Sequence, residues 1–199
     1  MQVEFDSLKH EYKINGVIVP GVTSILGQNP EVYKYAARKK GLPDNYYVDR
    51  GSAIHLMIYM YEMNKNPKEF AFWATYSNYR EAWIKFKSEN IIEVLEMELV
   101  VASENLMLAG TLDVLCMMNG SKWILDLKSG AYSPSHEIQV SGYKKLYEDD
   151  TRIIDHYPPK KIGGVYLRKN GTYSFREYKY NPDEVIRLRG DYENRIQYS

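Results

Sequence analysis

Asp113, Asp126 and Lys128 fall within one stretch, Gly110–Gly130, which reads GTLDVLCMMNGSKWILDLKSG. Two carboxylates and an ammonium brought together suit a hard divalent cation and a phosphate. Magnesium takes oxygen ligands, typically one or two carboxylates completed by water and substrate phosphate. Two carboxylates held close repel unless a cation or a proton lies between them. A hairpin with solvated charges accounts for any one of the three residues. All three together, followed by a helix with a matching polar face, favour the cation and phosphate.

The elements that must position these groups can be read from the same stretch. Leu112–Met118 and Lys122–Leu127 are apolar, β-prone runs on either side of Asn119-Gly120-Ser121, and Asn-Gly between such runs is a strong hairpin signal. In a strand, residues two apart share a face, so Asp126 and Lys128 point the same way and Leu127 the other. Pairing about the turn sets Asp113 opposite the end of the second strand, near Asp126. Ile91–Val101 reads as a preceding strand, which makes an antiparallel meander of three. Pro134 and Ser135 open a helix through about Glu148, with Ile138, Gly142 and Leu146 toward the core. Gln139 and Tyr143, four apart, lie on one face of it. Asn45–Asn64 is a further helix, striped by Ile54, Met57, Ile58 and Tyr61, with His55 beside the stripe. A lone histidine there is ordinarily structural.

The order G-T-x-D (Gly110 to Asp113), then D-x-K (Asp126 to Lys128), then Q-x-x-x-Y (Gln139 to Tyr143) resembles the PD-(D/E)xK nuclease superfamily. It is most similar to the RecB-like and phage-type exonuclease branch. R-G-x-x-x-H, from Arg50-Gly51 to His55, resembles that branch's first motif, and Pro20–Leu26 resembles the "PSVT" opening of phage members, with Gly21 in place of Ser. The resemblance implies that His55, Glu98, Asp113, Asp126 and the Leu127 carbonyl hold one or two magnesium or manganese ions. Glu98 is the better match for the glutamate before G-T-x-D, and Glu96, on the same predicted face, is the runner-up. It implies that Asp113, Asp126, Lys128, Gln139 and Tyr143 carry the chemistry. It also implies DNA as partner, as single strands, ends or branched structures, and a role in DNA processing, recombination or repair. Some relatives bind an iron–sulfur cluster through four cysteines. The single Cys116 cannot supply one.

The rest of the chain sets bounds. With 199 residues, 26 basic and 26 acidic, it suits one α/β domain with a sizeable core and not a protein that coats nucleic acid nonspecifically. No apolar run approaches a membrane span and the N-terminus does not read as a signal peptide, so the expected setting is the cytoplasm of a bacterial or phage-infected cell. Residues 2–19 read as an N-terminal β-hairpin about Asn15-Gly16, with Thr23 or Ser24 capping a short helix. Glu31–Lys40 reads as a helix, as does Pro67–Asn90 with its aromatic stripe of core type. Lys161–Arg168 and Tyr173–Tyr180 read as strands, and Pro182–Tyr198 as a terminal helix. The expected architecture is a restriction-endonuclease-like core: helix, three-stranded antiparallel meander, helix, further strand. An N-terminal hairpin and helices elaborate it over 1–90, the catalytic sheet and helix occupy 91–180, and 181–199 close the domain. Two rivals remain at this point, a binding module of the same fold with a weak site and a metal-dependent phosphohydrolase acting on a small nucleotide. The sequence leaves open the cleavage polarity and the oligomeric state.

Overall fold

The computed structural model describes residues 1–29, 46–65 and 72–197. Strands β1 (Val3–Asp6), β2 (Glu11–Ile14) and β3 (Val17–Val19) form a small antiparallel sheet in that order. The expected hairpin is the β2–β3 pair, turned by Asn15 and Gly16, whose φ values of 49° and 81° are left-handed. β1 extends it to three strands. Helix α1 (Val22–Gly27) follows, but neither Thr23 nor Ser24 caps it. Its N-cap is Gly21, and no side chain supplies a capping bond. Gly21 is extended and bridges to Ala109, which starts the helix before either hydroxyl residue and places both inside the first turn. The predicted helix Glu31–Lys40 lies outside the described residues.

α2 (Tyr46–Glu62) buries Ile54, Met57 and Ile58 as its stripe requires, whereas Tyr61 is exposed and Met60 is buried. The single helix read over Pro67–Asn90 is, within the described residues, two pieces. α3 (Phe72–Thr75) and α4 (Ser77–Asn90) are broken at Tyr76, whose φ of −112° and ψ of 12° leave the helical range. The aromatic stripe is core where it is described: Tyr79, Trp83 and Phe86 are buried against α2 and the main sheet.

The main sheet has five strands in sequential order: β4 (Ile92–Ser103), β5 (Leu108–Met118), β6 (Ser121–Lys128), β7 (Lys161–Leu167) and β8 (Tyr173–Tyr178). β4, β5 and β6 are the antiparallel meander. Asn119 and Gly120, with φ of 49° and 77°, make the tight turn whose twist matches the flanking strands. β7 runs parallel to β6. A parallel neighbour demands a crossover, and α5 (Pro134–Asp149) provides it. Ser133 caps α5, with His136 returning a bond to the Ser133 N–H at 3.2 Å. α6 (Pro182–Gln197) closes the described chain.

Helices cover both faces of this sheet. Residues of α1, α5 and α6 form one apolar cluster with it, and those of α2 and α4 form the other. Two close approaches depend on glycine. A Cβ on Gly142 would lie 2.8 Å from Val22, so α1 and α5 meet only because α5 lacks a side chain there. A Cβ on Gly110 would lie 2.8 Å from the Tyr143 ring. Cys116 is fully buried in the α4-side cluster, where burial pushes its thiol up to about 12, so it packs as a small apolar residue. No helix among the described residues is long and apolar enough to cross a membrane.

Candidate metal centre

The site forms where β5 leaves β6. Their last paired residues are Val114 and Leu125, so the next step along each strand is Asp113 and Asp126. β6 continues with β7 instead, pairing Asp126, Leu127 and Lys128 with Gly164, Val165 and Tyr166. Asp113 closes the gap with its side chain: Oδ2 accepts from the Leu127 N–H at 2.6 Å. One carboxylate oxygen is thereby anchored to backbone and the other, Oδ1, faces outward to His55.

His55 arrives from α2. Its Nδ1 lies 3.6 Å from Asp113 Oδ1 and 3.8 Å from Glu98 Oε1, and its Nε2 lies 2.8 Å from the Leu127 carbonyl oxygen. One donor atom from each of His55, Glu98 and Asp113 falls within 4.8 Å of the others. With Nε2–H donating to the Leu127 carbonyl, the neutral ring turns its Nδ1 lone pair to the two carboxylates. Metal-binding histidines are commonly oriented in this way. The Leu127 carbonyl, expected as a ligand, meets the histidine with one of its two lone pairs. Burial disfavours the charged imidazole, but the Asp113 and Glu98 carboxylates outweigh it and push the His55 pKa up to about 9.

Glu98 and Glu96 part company. The β4–β5 register shifts between Val94 and Glu96, and Glu98 has a left-handed φ of 53°. The shift lies before both glutamates, so it is the left-handed residue that re-aims the Glu98 side chain, and a non-glycine residue held in that region stores about 1–3 kcal/mol of strain. Glu98 turns to His55. Glu96 is exposed, and its charge is felt instead at Tyr147 of α5. The left-handed backbone at Glu98 breaks the shared face read from simple alternation.

Asp126 stands beside this group and not within it. It is fully buried, and Lys128 Nζ lies 2.7 Å from its Oδ2 as an ion pair. The ammonium offsets part of the cost of burying that carboxylate. Burial pushes the Asp126 pKa up, against the pull of Lys128; burial likewise raises Asp113, against His55. Lys128 donates to Gln139 Oε1 at 3.1 Å, and Gln139 Nε2 donates to the Tyr143 hydroxyl at 2.8 Å. All four polar groups read from D-x-K and Q-x-x-x-Y thus form one connected chain. Arg50 reaches the carbonyl of Ser129 at 3.1 Å, and a Cβ on Gly51 would meet open space among the described residues.

Several neighbours were not singled out from sequence. Thr111, inside G-T-x-D, bonds the Tyr12 hydroxyl at 2.9 Å. His136, three residues before Gln139, sits by Lys128, with Nδ1 3.0 Å from the Tyr166 hydroxyl. Burial and then the Lys128 charge lower its pKa to about 4, so it is neutral near pH 7. Its position one turn before Gln139 was the available signal. Tyr12, Phe5 and His10 come from the N-terminal sheet and line, with His55, Glu98 and Asp113, a cavity of about 750 Å³. Nothing local to residues 5–12 announces that.

No protein-family model matches the sequence, and no curated protein matches it. Among the solved structures it is similar to that of SSO0001, at 13% identity and a TM-score of 0.37, over 85% of this chain and 82% of that one. A likeness that slight says nothing of function, so the chemistry rests on the residues themselves.

Proposed function

We propose that this protein is a magnesium- or manganese-dependent deoxyribonuclease of the PD-(D/E)xK superfamily, acting from DNA ends as an exonuclease. The observation that carries the reading is the convergence of His55, Glu98 and Asp113 from α2, β4 and β5 within 4.8 Å, beside the Asp126–Lys128 ion pair. The meander, crossover helix and parallel further strand agree with the expected restriction-endonuclease-like core and support the same family.

The residues suit a hard cation. Two carboxylates and an imidazole fit manganese, and with water completing the shell they also fit magnesium. The buried Asp126 carboxylate carries a desolvation cost that Lys128 offsets in part and a cation would offset further. His55, Glu98 and Asp113 would hold an ion, with Asp126 available beside them for the same ion or a second. When bound, such an ion polarises a phosphoryl oxygen and lowers the pKa of a coordinated water.

The chain's own groups do the positioning. The Leu127 N–H fixes Asp113, and the Leu127 carbonyl fixes the His55 ring. Tyr143 orients Gln139, and Gln139 orients the Lys128 ammonium toward the attacking water or the charge growing on the phosphate. In the reaction the water oxygen bonds to phosphorus, one P–O ester bond breaks, and the departing oxygen takes up a proton.

The test uses end-labelled linear and circular DNA, single- and double-stranded, with magnesium, manganese or chelator. Asp126→Ala and Lys128→Ala should each lose at least about 100-fold in cleavage while retaining their circular dichroism. Wild-type activity in purified Lys128→Ala, or no cleavage of any DNA by the wild type with either metal, removes the reading.

A further inference from the structure

The cavity that holds the His55–Glu98–Asp113 cluster has a second wall made by the N-terminal sheet. Phe5 and Tyr12 are cross-strand partners in β1 and β2, and their rings stack at 4.6 Å and 18°. His10 stands edge-on to both, at 5.5 Å from each. The turn that carries His10 is braced: the Asp6 carboxylate accepts from the Leu8 and Lys9 N–H groups at 2.9 and 3.1 Å. His10 itself holds a left-handed φ of 52°. Tyr12 is buried behind with its hydroxyl on Thr111. His10 is exposed and Phe5 half-buried, so these two rings are the accessible part of the wall. α2 lines the same cavity with Leu56, 42% exposed, and the half-buried Tyr59, one turn beyond His55.

A simple apolar cover for a small sheet would close over its own rings. These rings open instead onto a space continuous with the carboxylates. Its volume of about 750 Å³ lies in the range of small-ligand sites, about 300–1,000 Å³. That is room for about one or two nucleotides and not for a duplex. Every base has a π-face, and aromatic side chains near a phosphate-binding centre stack unpaired bases with little regard to sequence.

We propose that Phe5 and His10, with Leu56 and Tyr59 lining the same cavity, form a pocket for one unpaired nucleobase of the strand whose phosphate lies at the His55–Glu98–Asp113 cluster. This deepens the nuclease reading and rests on it. It makes the substrate a single strand or a frayed end and assigns the N-terminal sheet to substrate binding.

The experiment compares a single-stranded oligodeoxynucleotide with the same strand carrying one abasic sugar next to the terminal phosphodiester, at each end in turn. Cleavage and fluorescence-anisotropy binding are read in the same manganese buffer. Wild type should lose about 5- to 150-fold on the abasic strand at one of the two ends, the ~1–3 kcal/mol of one base stack. Phe5→Ala and His10→Gly should lose a similar factor on the intact strand and little more on the abasic one, since the two changes remove the same contact. Glycine at 10 keeps the left-handed backbone, so His10→Gly tests the ring even if Phe5→Ala folds poorly. Cleavage with no discrimination between the strands overturns the pocket and leaves the nuclease reading intact. Discrimination in binding without any cleavage overturns the nuclease reading and keeps the pocket. Variants that slow both strands equally also overturn the pocket.

Discussion

His55 joins a helix to a strand end and a carboxylate pair to a backbone carbonyl, and its protonation is set by that company. Without metal, burial alone would leave the ring neutral; the Asp113 and Glu98 charges instead push it up to about 9. Any cation must therefore displace a proton from it. The sign is fixed: below about pH 9 the proton competes, so metal affinity rises with pH and levels off above it. Calorimetric titration of magnesium across the neutral and mildly alkaline range should show affinity rising by up to about tenfold per pH unit. A flat profile would mean that His55 is not a ligand. The same shift, raised from 6.5, stabilises the metal-free fold fully below pH 6.5, and that contribution fades as pH rises through about 9.

At the level of elements, α5 does two things with one side. Leu146 and Val140 go into the core, fully buried, while Gln139 and Tyr143, at spacings of four and three on the stripe that ends in Leu146, reach the polar end of β6. Core and polar contacts adjoin over Gly110, where the Tyr143 ring lies against bare backbone. Gly110→Ala would set a methyl 2.8 Å from that ring. Overpacking of this sort costs about 1–3 kcal/mol, and the ring can yield only by moving its hydroxyl from Gln139. We expect a lower urea midpoint together with a loss of turnover larger than the stability loss explains at temperatures where the variant is fully folded. Full activity in a destabilised Gly110→Ala would detach Tyr143 and Gln139 from the positioning of Lys128.

For the molecule as a whole, the cluster is a concentration of negative charge at a junction of α2, β4, β5 and β6. A cation that binds only the folded form stabilises it by about 2.7 kcal/mol at a hundredfold excess over its dissociation constant. For a chain of this length that corresponds to a rise of about 5–10 °C in the thermal midpoint. Manganese should produce such a rise, chelator should reverse it, and Asp113→Ala should abolish it. An equal rise in Asp113→Ala would assign the stabilisation to some other part of the surface.

The central hairpin was legible because its signals are local. Asn119-Gly120 needs left-handed backbone, the flanking runs are β-prone, and a period of two puts Asp126 and Lys128 on one face whatever surrounds them. The helix carrying Gln139 and Tyr143 was legible for the same reason, through spacing and an apolar face. Tertiary structure alone decided the rest. The choice between Glu96 and Glu98 turned on a positive φ at Glu98, which no alternation rule registers, because surrounding structure and not the residue's own preference holds a glutamate there. The contact of His55 with the Leu127 carbonyl, and the lining of the His55–Glu98–Asp113 cavity by Phe5 and His10, join residues far apart in the chain. Such contacts arise from how layers pack, and no local spacing encodes them.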